Sequence, residues 1–337
     1  MTGLPFIIAE AGVNHDGSLD KALRLVDIAA AAGADAVKFQ TFRADDIVTP
    51  GTAKAAYQER QTGGGSQYEM IRALELDEEA HRAIVARCAA RGIEFMSTPF
   101  DAWALDLLTG LGMKRIKIAS GELTNKPLIE AVAARRLPII LSTGMGTLAE
   151  VERAVGWIRA VWPAADLTLL HCTSNYPAAP EDINLRAMDA LAALGVPVGY
   201  SDHSLGLAIS IAAAGRGATV IEKHFTENPA DDGPDHAASL APDELVSLVQ
   251  ALRKVGAALG DGVKQPSPNE LEVRALVRRS AFARRDIAAG EALSPDDIVF
   301  LRPAGGIGPE EADALRGARA TRPLAAGEKL AWADLDR

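Results

Sequence analysis

Apolar runs of strand length recur through the first 260 or so residues, and each leads into an alanine-rich stretch with helical spacing. The runs predict strands near Phe6–Ala9, Asp35–Gln40, Glu94–Ser97, Arg115–Ala119, Pro138–Ser142, Leu167–His171, Val198–Ser201 and Val220–His224. Between them, Leu19–Ala32, Glu78–Arg91, Leu148–Arg159 and Leu205–Ala214 read as helices. Regular β/α alternation implies a parallel sheet, and eight repeats suit a closed (β/α)8 TIM barrel. An open, doubly wound sheet is the competing arrangement, but no strand runs into GxGxxG or a P-loop.

Two stretches break the rhythm. Between Thr41 and Glu75 lies TPGTAKAAYQERQTGGGSQYEM, with no clear period. Loops of that length are usually functional or disordered. On the catalytic face it would be a lid or substrate wall with TGGGS as a mobile tip, and the alternative is a tolerated surface insertion. After Gly262 the composition changes, through KQPSPNE and a basic segment, to short strand-like pieces between Gly and Pro turns. The expected division is a barrel over 1–262, a linker over 263–279 and a small β-rich module over 280–337. AAGE occurs twice in that module, ending at Glu291 and Glu328, which hints at internal pseudo-symmetry. So short a module has a marginal core and is expected to dock on something.

Composition narrows the partners. The 337 residues carry a net charge of −10, which argues against nucleic acid and anionic membrane. No apolar run approaches the roughly 18 residues of a membrane span. MTGLPFIIAEAG lacks the basic flank and long apolar segment of a secretory signal. Only Cys88 and Cys172 are present, without metal-type spacing, as suits a reducing compartment. A soluble, cytoplasmic protein is expected.

The chemistry-bearing residues gather where the strands end, the rim on which barrel enzymes keep their sites. His15, His171, His203, His224 and His236 lie at strand ends or in the loops that follow, and only His81 falls in a helix. Two histidines from the seventh and eighth strands could share a metal ion, or be hydrogen-bonded rim residues with none. Lys38 and Lys117 interrupt apolar strands. A buried ammonium needs an anion, so each is a structural ion pair, a phosphate clamp or a Schiff-base nucleophile. Ser97, Thr98, Ser120, Ser142 and Thr143 follow three consecutive strands and favour a phosphate pocket, although each singly could be a helix cap. Glu10 and Glu222 add carboxylates at the same level, and alternation puts Glu222 on the side of His224. Glu10 could transfer protons or could simply pair with one of the lysines.

At these residues the chain resembles a known family. IAEAGVNHDGS, GADAVKFQTF, FMSTPFD, KIASGELTNKPLI, LSTGMG, HCTSNYPAAPEDINL, GYSDHSLG, IEKHFT and GPDHAAS are similar to the successive blocks of bacterial sialic acid synthases, a family that includes legionaminic and pseudaminic acid synthases. SAFARRDIAAGEALSPDDIVFLRPAGGIGP resembles the family's antifreeze-like SAF domain. The resemblance implies condensation of phosphoenolpyruvate with an N-acylated mannosamine-type sugar, N-acetylmannosamine or a 2,4-diacetamido-trideoxyhexose. It implies a divalent metal, manganese first and magnesium or cobalt otherwise, on His203 and His224. Lys38, Thr98, Lys117, Ser120 and Ser142 match positions that hold phosphoenolpyruvate, and Glu10 matches a carboxylate beside the reacting carbons. Gln40, Tyr176, Glu222 and Asp235 match the sugar pocket. Arg302 matches an arginine that one subunit extends into the barrel of the other, which implies a homodimer. In the neuraminate-forming pattern an asparagine stands two residues before the tyrosine. Ser174 stands there here, which touches the choice of sugar and not the reaction. The stretch YQERQTGGGSQYEM looks more like neuraminate or legionaminate synthases than pseudaminate ones.

Overall fold

The computed structural model describes residues 4–336. The chain divides into two compact units, residues 1–261 and 262–337. In the first, eight parallel strands follow one another: β1 Phe6–Gly12, β2 Ala36–Thr41, β3 Glu94–Pro99, β4 Ile116–Ile118, β5 Ile139–Ser142, β6 Leu167–Cys172, β7 Val198–Asp202 and β8 Val220–His224. The order β3-β2-β1-β8-β7-β6-β5-β4 wraps the sheet round on itself as a barrel, with β3 against β4 at the seam. Helices alternate with the strands and cover the outside, so the strands are buried on both faces and read as nearly continuous apolar runs.

The helix ends follow local chemistry. Ser18, Asp77 and Asp101 accept backbone N–H bonds at the starts of Leu19–Ala32, Glu78–Arg91 and Ala102–Gly110. Gly33 and Gly92 close the first two in the left-handed conformation.

Alternation along the strands builds the interior in layers. Ile8, Ala36, Met96, Ile140, Leu170 and Val220 form an apolar plug inside the barrel. Two residues further along five of those strands stand Glu10, Lys38, Thr98, Ser142 and Glu222, all buried. A period of two places them on the same side, one layer nearer the C-terminal rim. The polar layer is therefore the continuation of the plug.

The outward-facing side chains of β7 and β8 carry a second buried charge pair. Asp202 and Lys223 are partners in the strand ladder, and their side chains approach to 3.0 Å at almost complete burial. Lys223 Nζ also donates to the Ser204 carbonyl at 2.5 Å, while Ser204 and Ser210 hydroxyls donate to Asp202. The loop that begins at His203 is thereby tied to the strand that ends at His224.

The insertion expected as loop holds three short helices, Ala44–Ile47, Ala56–Thr62 and Gln67–Ala73. Lys54 Nζ donates to Thr62 Oγ1, the Gly63 carbonyl and the Gly64 carbonyl, which pins the glycine-rich turn expected as a mobile tip.

In the second unit, helix Pro268–Val277 runs through the expected linker. The remainder is a β-rich module with strands Ser280–Ala283 and Ile298–Leu301 antiparallel, and Arg319–Ala320 antiparallel with Leu335–Asp336. The AAGE repeat is structural. Arg285 binds Glu291 and Asp297, and Arg322 binds Glu328 and Asp334 in the same spacing. Ile287 and Leu324 exchange backbone hydrogen bonds at the centre of the two halves. Ile287, Leu293, Leu315, Leu324 and Leu330 make a small separate core.

Candidate active site

A cavity of about 530 Å³ opens at the C-terminal rim of the barrel. Glu10, Lys38, Gln40, Thr98, Lys117, Ser120, Ser142, Ser174, Tyr176, His203, Glu222, His224 and Asp235 all line it. Every barrel residue that the family resemblance assigns to the site is thus brought together. Ser97 and Thr143, also expected at the phosphate pocket, are not: Ser97 bonds the Thr41 hydroxyl and Thr143 donates to the Leu170 carbonyl. Arg302 is a further exception: it belongs to the second unit and is exposed. Of the five rim histidines, only His203 and His224 reach this cavity. His171 bonds the Ile183 carbonyl, His236 bonds Thr226 and Asp16, and buried His15 accepts from the Gly17 N–H.

Four charges form the floor. Lys38 Nζ lies 2.7 Å from Glu10 and 3.7 Å from Glu222, and donates to Thr98 Oγ1 at 3.1 Å. Lys117 Nζ lies 3.1 Å from the other Glu222 oxygen, which also accepts from Ser201 at 2.9 Å. Both lysines are therefore ion-paired already, with carboxylates that themselves line the cavity, and both also border the space that an anion would enter.

The electrostatics separate the two carboxylates. Burial pushes the Glu10 carboxyl up to about 7, against the pull of Lys38. Glu222 is equally buried, but Lys117 and Lys38 together hold it down at about 2. Burial drags the Lys117 ammonium below its ordinary range, whereas Glu10 and Glu222 outweigh burial and hold Lys38 above it. A carboxyl near neutrality beside one that stays ionised divides proton transfer from charge balance. The Ser142 hydroxyl is buried with no partner among the described residues, a donor kept for something that enters the cavity.

At one corner the His203 and His224 rings stand with centroids 5.5 Å apart, and Tyr176 packs 4.1 Å from the ring of His203. His203 Nδ1 bonds the Thr173 carbonyl at 2.7 Å, which fixes its tautomer and leaves Nε2 with a lone pair. His224 is held neutral by burial and by the neighbouring His203, and its buried Nδ1 has no hydrogen-bond partner among the described residues. Asp235 lies 3.8 Å from that nitrogen, and burial lifts its carboxyl to about 6. Burial pulls the His203 imidazole down, but Cys172 outweighs it and holds His203 above its ordinary range. Neutral His224, with its unspent donor atom beside a destabilised carboxyl and the His203 ring, fits a divalent cation. Gly12, at φ +55°, leaves room for the His224 ring, since a Cβ there would stand 3.2 Å from it.

A second group, Asp16, Asp231 and His236, also has ligand-type geometry. Lys21 Nζ already sits 2.5 Å and 2.7 Å from its two carboxylates, and both nitrogens of His236 are engaged. That group has its cation in place.

Sequence reasoning missed Ser201 and Cys172, whereas the insertion was expected as a possible substrate wall but its residues were not named. Ser201 could have been found from strand alternation, two residues before His203. Cys172 lines the cavity with its sulfur 3.7 Å from His203 Nδ1. The insertion supplies one whole wall, including Ile47, Met70, Ile71 and Leu74.

A closed parallel barrel with its charged groups converging on the C-terminal rim, followed by a small duplicated β module, defines a (β/α)8-barrel protein of the synthase type with an SAF-like appendage. Residues 25–264 match the NeuB family and residues 278–336 match the SAF domain. The chain belongs to the NeuB family. It is 50% identical over 336 residues to the N,N'-diacetyllegionaminic acid synthase of Legionella pneumophila, covering 98% of this chain and 94% of that one. It is 34% identical to the human N-acetylneuraminate-9-phosphate synthase over 87% of this chain and 82% of that one. Among solved structures it is similar to the N-acetylneuraminic acid synthetase of Leptospira borgpetersenii, crystallised with citrate, with TM-score 0.71 and 35% identity over 81% of this chain and 90% of that one.

Proposed function

We propose that this protein condenses phosphoenolpyruvate with an open-chain N-acylated mannosamine-type sugar, giving a nine-carbon 2-keto acid and inorganic phosphate. The observation that carries the reading is the joining, in one cavity, of two buried lysines, an unpartnered buried hydroxyl and a two-histidine corner. A 2,4-diacetamido-trideoxyhexose is the sugar we favour, because the likeness to a legionaminic acid synthase is so much higher than that to a neuraminate-forming relative.

Lys38, Lys117, Thr98, Ser120 and Ser142 hold the phosphate and carboxylate of phosphoenolpyruvate, and Gln40, Ser174, Tyr176, Glu222 and Asp235 hold the sugar. A divalent ion on His203 and His224, manganese by preference, would polarise the sugar aldehyde. C3 of phosphoenolpyruvate bonds to the aldehyde carbon while Glu10 gives its proton to the aldehyde oxygen. Lys38 and Lys117 offset the anionic charge beside the C2 cation so formed. Water adds at C2 and returns a proton to Glu10, and the tetrahedral carbon expels phosphate by C–O cleavage as the C2 hydroxyl gives its proton to the departing phosphate. Phosphoenolpyruvate, sugar and water are consumed, and keto acid and phosphate appear.

The same reading makes the working protein a cytoplasmic homodimer in which the exposed Arg302 of one chain serves the barrel of the other. It keeps the division into a barrel over 1–262, a linker over 263–279 and an SAF module over 280–337.

The test is an assay of purified protein with phosphoenolpyruvate and a panel of acylated hexosamines, following phosphate release and product mass. Chelation should stop turnover and manganese should restore it. Phosphate release from none of the sugars would overturn the reading. A borohydride-trapped pyruvate adduct on Lys38 or Lys117 would make the protein a Schiff-base aldolase instead.

A further inference from the structure

The insertion between β2 and the helix that starts at Glu78 contributes only apolar side chains and uncharged amides to the cavity. This contrasts with the floor, where four charges stand together. Ile47, Met70, Ile71 and Leu74 are each half-buried, as side chains that border an open space should be. A sugar hydroxyl set against such a wall loses water and gains no partner, at a cost of about 1–3 kcal/mol. A methyl group there gains about 0.8 kcal/mol.

Gln58 and Gln67 add a directional element. The backbone N–H of Ala55 donates to Gln58 Oε1 at 2.9 Å, which fixes which end of that amide is oxygen. Gln67 Nε2 donates to the same oxygen at 3.4 Å. The amide ends left over are Gln58 Nε2, a donor, and Gln67 Oε1, an acceptor, and neither has a partner among the described residues. One donor beside one acceptor is the complement of an acylamino group, which offers a carbonyl and an N–H.

The wall is built to keep its shape. Tyr68 donates to Asp45 at 2.6 Å, the Ala44 N–H donates to Glu75 at 2.6 Å, and Gln67 N–H donates to the Thr52 carbonyl at 2.8 Å. A braced surface discriminates between ligands better than a loop that can repack around each one.

We infer that this insertion is the specificity wall of the sugar subsite: Ile47, Met70, Ile71 and Leu74 take the deoxygenated carbon and acyl methyl groups, and the Gln58–Gln67 pair takes a second acylamino group. The class of substrate selected is a diacylamino, deoxygenated hexose, in preference to a monoacylated sugar with free hydroxyls. The inference rests on the condensation proposed above and adds which part of the chain chooses the sugar.

The experiment compares kcat/KM for 2,4-diacetamido-2,4,6-trideoxymannose and N-acetylmannosamine at saturating phosphoenolpyruvate, in wild type, Ile71→Asn and Gln58→Glu. Gln58→Glu keeps an oxygen for the Ala55 N–H but removes the donor. Wild type should favour the trideoxy sugar by at least about tenfold. Each variant should shrink that ratio about tenfold, with KM for phosphoenolpyruvate unchanged and a melting temperature near that of wild type. Parallel losses with both sugars, or an unchanged ratio in folded variants, would overturn the specificity wall while leaving the condensation intact. No phosphate release from wild type with either sugar would overturn both.

Discussion

Glu10 and Glu222 share a floor, yet burial takes one up to about 7 while two ammonium groups take the other down to about 2. Folding therefore makes Glu10 harder to ionise, and its share of stability declines as pH rises from about 4.5 to about 7. Glu222 has the opposite sign: its stabilisation is complete above about 4.5 and is lost as pH falls toward about 2. On the proposed mechanism the relevant form of Glu10 is the protonated one. We predict that kcat falls as pH climbs through about 7, and that Glu10→Gln flattens this limb and lowers kcat at least about 100-fold, as loss of a general acid does. A pH–rate profile checks it, and a descending limb that survives in Glu10→Gln would assign the proton to another group. Charged residues inside apolar runs were the legible signal at this scale. Lys38, Lys117 and Glu222 stood out because water-seeking groups do not enter a strand without a partner. Their existing mutual pairing was less legible, since it depends on which strands become neighbours.

At the scale of elements, short apolar runs alternating with helical spacing carried the barrel: helices Leu19–Ala32 and Glu78–Arg91 coincide with the sequence reading, and all eight strands were found. The short helices were not found, although their caps were visible. Ser66 with Glu69 and Ser267 with Glu270 are capping boxes inside stretches read as loop and linker. Proline and glycine around them drew the eye to turns. The Asp202–Lys223 pair was hidden for another reason, because a lysine beside Glu222 looks like one more rim charge until the strand assigns the two to opposite faces. Lys223→Met should strand the wholly buried Asp202 carboxylate, and the expected loss is about 3–5 kcal/mol. Adding Asp202→Asn should recover part of it. Urea unfolding of the single and double variants measures both, and a single variant as stable as wild type would show that the pair contributes nothing to the fold.

For the whole molecule, the two units differ in how they are held. The barrel has a large continuous core, whereas the SAF module has a small one reinforced by two arginine-centred brackets of identical spacing. Arg302 lies at the end of its strand Ile298–Leu301, exposed and without an ion pair among the described residues. If it completes a partner's site, an Arg302→Ala chain mixed with a His203→Ala chain should regain activity that neither has alone. Random pairing gives half heterodimers with one intact site each, so recovery should approach about a quarter of wild type. No recovery after demonstrated subunit exchange would confine Arg302 to its own chain or to no site.

Neighbouring residues of β8 carry opposite charges to opposite faces: Glu222 turns inward to Lys38 and Lys117, and Lys223 turns outward to Asp202. A slip of this strand by one residue would exchange the two faces. Lys223 would then join two other ammonium groups in a closed space, and Glu222 would meet Asp202 outside it. Both encounters set like charges together away from water, so the misaligned barrel is penalised twice over by the same error. The charges that line the cavity thus also proofread the strand register, and a barrel closed one residue out of step would be held less firmly than the native one.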